Sequence, residues 1–137
     1  ERAVTRCKLA MLTEMVTGGK ISESAYLCLK LAWIYRGEIQ EAKANGAAQE
    51  RISMYEKYEK EYLEDAYRGF KQARETEYPP IAGMDENTIT YLLTSIGIHC
   101  GKIDEARRYG SALLISRTAS MKLKNKTRDV LETIKKN

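Results

Sequence analysis

The chain has 137 residues, 43% apolar and 31% charged, with only two prolines, a balance that supports one domain with a real core and excludes a disordered chain. Its longest uncharged stretch, Asn87 to Gly101, is interrupted by Thr, Ser, His and Gly, so no run reaches the roughly 18 apolar residues of a membrane span. The net charge of +4 is uneven: residues 116–137 hold seven Lys/Arg against two acids, which confines any electrostatic argument about a partner to the C-terminus.

No segment alternates like a strand. Glycines at 18, 19, 83 and 101 and the Pro79–Pro80 pair punctuate segments of helical period. A first helix over about 2–17 sets Val4, Cys7, Met11 and Met15 on one face, and Gly18 or Gly19 suits the left-handed position that closes it. The second starts near Ser22 as N-cap, with Ile21 and Tyr26 placed as a hydrophobic staple. Its apolar set of Ala25, Cys28, Leu29, Ala32 and Tyr35, backed by Leu27, Leu31 and Ile34, is wide enough for burial on several sides. The third, roughly 47–77, keeps Ile52, Tyr55, Tyr62, Ala66, Phe70 and Ala73 at helical spacing, with Glu56–Lys60 and Glu64–Arg68 as outer ion pairs. At 1.5 Å per residue it spans roughly 45 Å, so part of it should project or pack on something further.

After the prolines, Asp85 is the N-cap of a fourth helix, with Met84 and Ile89 as its staple and Ile89, Leu92, Leu93 and Ile96 as its core stripe. Gly101 ends it. Asp104 caps a fifth helix carrying Ala106, Tyr109 and Leu113. A sixth, about 120–136, has a narrow seam of Leu123, Thr127, Val130 and Ile134. Lys122, Lys124, Lys126 and Arg128 fan around that seam instead of forming one cationic face, the pattern of a terminal capping helix.

One phrase occurs twice: "GEIQEA" at 37–42 and "GKIDEA" at 101–106. In the second, Gly101 can take a positive φ, Asp104 caps, Glu105 favours the positive helix end, and Ala106 is small enough for close helix packing. That is the turn phrasing of tetratricopeptide repeats. "LAWIY" (31–35) also fits the repeat's Leu-small-x-x-Tyr pattern, but it is two residues out of step with Gly37, so "GEIQEA" reads as a partial echo. Asp65–Ala66, Phe70 and Ala73 match the second helix of a repeat. The expected fold is all-α, a single domain over 1–137: a divergent tetratricopeptide-like antiparallel helix array of about six helices with one long helix.

Four stretches, "KLAML", "AYLCLKLAWIYR", "GMDENTITYLL" and "TRDVLETIKK", resemble the C-terminal helical half of an uncharacterised bacterial protein family, a domain of unknown function. The resemblance implies a tetratricopeptide-like region. In fuller members it follows a Cys-rich, zinc-ribbon-like N-terminal segment that this chain does not contain. It departs from the family in "SIGIHCG" (95–101) and in Tyr109–Gly110, where a missing bulky group argues against tight packing. The resemblance implies no activity.

The chain opens on "ERAVTRCKLA", charged at once, which predicts no signal peptide; residue 1 reads as the cut end of a longer protein. Cys7, Cys28 and Cys100 are odd in number and widely spaced, which points to a reducing, cytoplasmic setting and to core cysteines. His99 adjoins Cys100, but consecutive helix residues point about 100° apart, so the pair is not expected to hold a metal. No nucleotide, metalloprotease or hydrolase motif occurs, and neither catalytic residues nor a cofactor are expected. Tyr55, Tyr58 and Tyr62 could stack on a ligand, although half-buried core is the favoured reading.

Recognition remains. Helix-pair arrays line a groove with the first helix of each pair, here Thr88, Tyr91, Ser95, Ile98 and His99. With no Lys or Arg among them, a bound protein or peptide would be held by apolar and hydroxyl contacts, with Tyr91 as anchor. The expected function is a non-enzymatic protein–protein interaction scaffold, with self-association open and no membrane partner. The alternative, a nucleic-acid-associated module using the basic C-terminal helix beside the zinc-ribbon-like segment, is disfavoured.

Overall fold

Helix-forming residues flank Asn45–Gly46, and the chain reverses there. The computed structural model describes residues 21–76 and 85–135, with α1 over Ile21–Ala44 and α2 over Gln49–Thr76. At the reversal the Ala47 amide donates to the Ala42 carbonyl (2.9 Å) and the Gly46 amide to that of Lys43 (3.3 Å), while Gly46 takes φ 67°. This paired pattern satisfies the last carbonyls of α1 and needs a left-handed residue, which glycine supplies without steric cost. The two helices run antiparallel: stepping back along α1 from Ala42 to Arg36 to Ala25, the partners step forward along α2 from Ile52 to Glu59 to Gly69.

The same closing pattern recurs at the end of α3 (Glu86–His99). There the Lys102 amide donates to the Gly97 carbonyl (2.7 Å) and the Gly101 amide to that of Ile98 (3.2 Å), with Gly101 at φ 77°. α4 (Ile103–Leu114) follows, then α5 (Met121–Lys135), whose start is held by the Ser120 hydroxyl accepting from the Leu123 amide (3.1 Å). α2 packs on α3, and α3 packs on both α4 and α5. Among the described residues there are five helices and no strand, against the six or so expected. The first expected helix with Cys7, the Pro79–Pro80 break and Met84 lie outside the described residues. No helix among the described residues is long and apolar enough to cross a membrane.

Two clusters make the core. One joins Ala25, Leu29 and Ala32 of α1, Ala66, Tyr67 and Phe70 of α2, and Ile89, Leu93 and Ile96 of α3. The other is made by α1 and α2 alone around Leu31, Tyr35, Ile39, Ile52 and Tyr55. Tyr35 packs its ring against Tyr55, Tyr58 and Tyr62 at centroid distances of 5.3–5.9 Å, so the tyrosine stripe is core, as expected. The hairpin thus continues past α3 and carries its own aromatic packing.

The phrase at Gly37 is only an echo of the turn: Gly37 lies inside α1, exposed, with open space where a Cβ would stand. Ile39 and Ala42, beyond it, pack against α2 and carry the helix through a glycine that costs about 1 kcal/mol against alanine. Several local expectations change. Ile21 and Ser22 both lie within α1, so Ser22 does not precede the helix as a cap. Asp104 is not the N-cap of α4 either. That position belongs to Lys102, because its carbonyl accepts from the Ala106 amide as soon as the glycine turn closes, which leaves Asp104 in the first turn. Gly110 does not loosen the packing. It is buried, and a Cβ there would stand 2.9 Å from both Leu131 methyl carbons, so the missing side chain makes room for α5. Arg68 turns to Asp65, not Glu64.

Candidate functional site

Asp85 sets where α3 begins: its carboxylate accepts from the Thr88 amide at 2.7 Å. With the start fixed, Ile89, Leu93 and Ile96 fall on the core face, beside buried Thr90 and Thr94. Those two hydroxyls satisfy themselves on the carbonyls four residues back, Glu86 and Thr90, each at 2.9 Å. The remaining side of the helix carries the five expected groove residues. Thr88, Tyr91, Ser95 and Ile98 are half-buried and His99 is exposed.

The strip looks in two directions. Tyr91 sits where burial, and then the Asp129 carboxylate of α5, raise its hydroxyl pKa. His99, two turns on, faces the first hairpin. Loss of water on the side facing the cleft, and then the Arg36 guanidinium, lower its imidazole pKa, partly opposed by Glu59. At neutral pH this histidine is therefore uncharged. Its surroundings are a cleft of about 460 Å³ walled by Arg36 and Lys43 of α1, Glu56, Glu59 and Lys60 of α2, and the end of α3. Arg36 Nε holds the Glu59 carboxylate at 2.8 Å inside it.

The sequence reading brought no cation to this strip. Taken alone, α3 has none, but the cleft beside His99 receives three from the first hairpin. The usable signal was the Asn45–Gly46 turn: once the chain reverses there, Arg36 and Glu59 face each other. Cys100 borders the same cleft as His99. No group of three His, Cys, Asp or Glu side chains among the described residues could hold a metal ion. Burial raises the Cys100 thiol pKa and pushes that of Cys28 up to about 11, so both stay protonated.

A second polar contact locks α4 onto α2. The Tyr67 hydroxyl donates to the Glu105 carboxylate, which Lys71 also reaches at 3.2 Å. Burial and that carboxylate raise the Tyr67 pKa, while the bonds from Tyr67 and Lys71 lower that of Glu105. Glu105 was read as a helix-end charge; it is also the bridge between hairpins. Nearby, a Cβ at Gly97 would stand 3.3 Å from that of Ala106, the close helix approach expected from the small residue.

Among the described residues these features make an all-helical arrangement of two hairpins and a further helix, with a half-buried polar strip on α3. Residues 1–134 match a family described as an uncharacterized protein conserved in bacteria (DUF2225), and the chain belongs to that family. No curated protein and no solved structure matches it.

Proposed function

We propose that the chain is a non-enzymatic protein–protein interaction scaffold of tetratricopeptide type, with a peptide or protein segment lying along the Thr88–His99 strip of α3. The observation that carries this reading is the strip itself. It runs two-sided, with Asp129 of α5 beside Tyr91 and the Arg36–Glu59 pair beside His99, and no strip residue is fully buried. The hydroxyl and imidazole groups of the strip can hydrogen-bond a partner while Tyr91 supplies apolar area. Two hairpins closed by the same glycine turn, followed by a terminal helix, support the repeat relationship. The first hairpin departs from it, since helices of 24 and 28 residues exceed what a period of about 34 residues holds.

In this reading Tyr91 anchors an apolar residue, and the cleft beside His99 takes a charged neighbour. The chain acts in the cytoplasm as one part of a longer protein with a zinc-ribbon-like N-terminal segment. The test is affinity capture with the full-length protein, repeated after nuclease treatment. Capture that survives nuclease and is lost with Tyr91→Ala, at unchanged melting temperature, supports the scaffold. Capture abolished by nuclease would transfer the function to nucleic-acid binding through the basic C-terminus.

A further inference from the structure

α4 and α5 do not close on each other along their outer side. A cleft of about 420 Å³ opens between them, lined by Leu114, Leu131 and Ile134 with Arg107 and Arg128 beside them. The two helices are antiparallel about the Gly110–Leu131 contact, joined by a short loop. Arg107, one turn before Gly110, therefore lies at one end of the cleft, and Arg128, one turn before Leu131, lies at the other. Two turns of helix separate these ends, roughly 10 Å.

Neither guanidinium is neutralised in a buried pair. Arg107 approaches Asp104 only at 4.0 Å on an exposed surface, and Arg128 bonds the neutral amide oxygen of Asn125 at 2.9 Å. Exposed pairs of this kind hold a side chain weakly. Apolar surface continues around the loop between the helices, where Ile115 is 83% exposed and Met121 64%. The segment from residue 116 onward also carries the chain's excess of cations.

The geometry points to this cleft as a docking site for an acidic amphipathic helix of a partner protein. An apolar side chain of that helix enters between Leu114, Leu131 and Ile134, and carboxylates about two turns apart meet Arg107 and Arg128. Glu132 also lines the cleft, so the acids of the occupant are placed at the two arginines and not between them. Nucleic acid would need only the dispersed lysines and would leave the apolar wall unused. The site is separate from the α3 strip and does not depend on it.

Fluorescence anisotropy tests this with the whole chain and a labelled helical peptide carrying Glu at two positions about seven residues apart with Leu between them. A matched peptide with Lys for Glu, and a short DNA duplex, are the other probes. The acidic peptide is expected to bind in the micromolar range, and Arg107→Glu with Arg128→Glu to weaken it roughly tenfold while conferring binding of the Lys peptide. If that pair unfolds by circular dichroism, Arg107→Gln with Arg128→Gln is read instead. Lys122, Lys124 and Lys126 changed together to Glu should leave binding within about twofold, since none of them lines the cleft. Tyr91→Ala should leave it unchanged, which separates this site from the strip. The inference is overturned if neither peptide binds, if both bind equally, if the triple lysine change weakens binding as much as the arginine pair, or if the duplex displaces the peptide.

Discussion

The α1–α2 hairpin is packed differently at its two ends. Near Ala25 and Gly69 the helices approach so closely that a Cβ on Gly69 would stand 2.7 Å from that of Ala25. Toward the turn, four tyrosine rings fill the interface instead. The neighbours explain the contrast. At the first end α3 covers the hairpin, and Ile89, Leu93 and Ile96 supply the apolar burial, so small residues can bring the helices together. At the second end, among the described residues, the cluster is built by two helices, and each provides large side chains to bury apolar area. A long helix pair can therefore extend past a three-helix cluster by packing large amphipathic rings between its own two helices.

The largest expected effect lies at the covered end. Phe70 is fully buried between three helices, and Phe70→Ala should cost about 3–5 kcal/mol and lower the whole unfolding transition. Tyr35→Ala should cost less, about 2 kcal/mol, because the loosened end can open locally. Hydrogen exchange distinguishes the two: the tyrosine change should unprotect amides near residues 36–58 and spare α3. Uniform loss of protection in both variants would break the comparison.

Gly69→Val comes next, at about 1–3 kcal/mol, since the new side chain must push α1 away at Ala25. The same change at Gly37 meets open space, so urea denaturation of the two variants shows whether close approach or helix propensity governs glycine here. The turn glycines should be alike. Gly46→Val and Gly101→Val each force a β-branched residue to positive φ, at a cost of about 1–3 kcal/mol. Gly37→Ala, by contrast, should stabilise by up to about 1 kcal/mol. A destabilising Gly37→Ala, measured as a lower melting temperature, would restore a structural role to "GEIQEA".

The smallest effect concerns the bridge between hairpins. The Glu105 pKa is depressed in the folded chain, so its contribution is present above the ordinary glutamate value and is lost as pH falls through the folded one. Its side chain is partly exposed, which keeps the contribution modest. Glu105→Gln should flatten the acid limb of the melting-temperature profile, and an unchanged limb would show that Tyr67 and Lys71 do not hold the charge.

Much of the helical layout was legible because its causes are local. Asp85 caps α3 wherever the rest of the chain lies, and Gly101 stops it by being able to adopt a positive φ. The spacing of Leu31, Ala32 and Tyr35 predicted their burial correctly, and Trp33 between them is 47% exposed, as its place on the opposite face requires. On α3 the five groove candidates do share one side, since that too follows from helical period.

What the sequence could not decide is which faces meet. Periodicity sets the side of a helix that turns inward, but the partner across the gap is chosen by the reversal of the chain and the register that follows. Hence the phrase at Gly37 is only an echo while the reversal occurs at Gly46, and Gly110 looked like a defect until Leu131 was brought against it. Tyr67 and Glu105 carry no mutual signal at a separation of 38 residues, nor do Arg36 and Glu59 at 23, because each pair exists only once two helices are laid side by side. The cations that flank His99 and those that end the α4–α5 cleft arise in the same way. Local chemistry wrote the helices and their ends; non-local packing decided their neighbours, and with them both candidate surfaces.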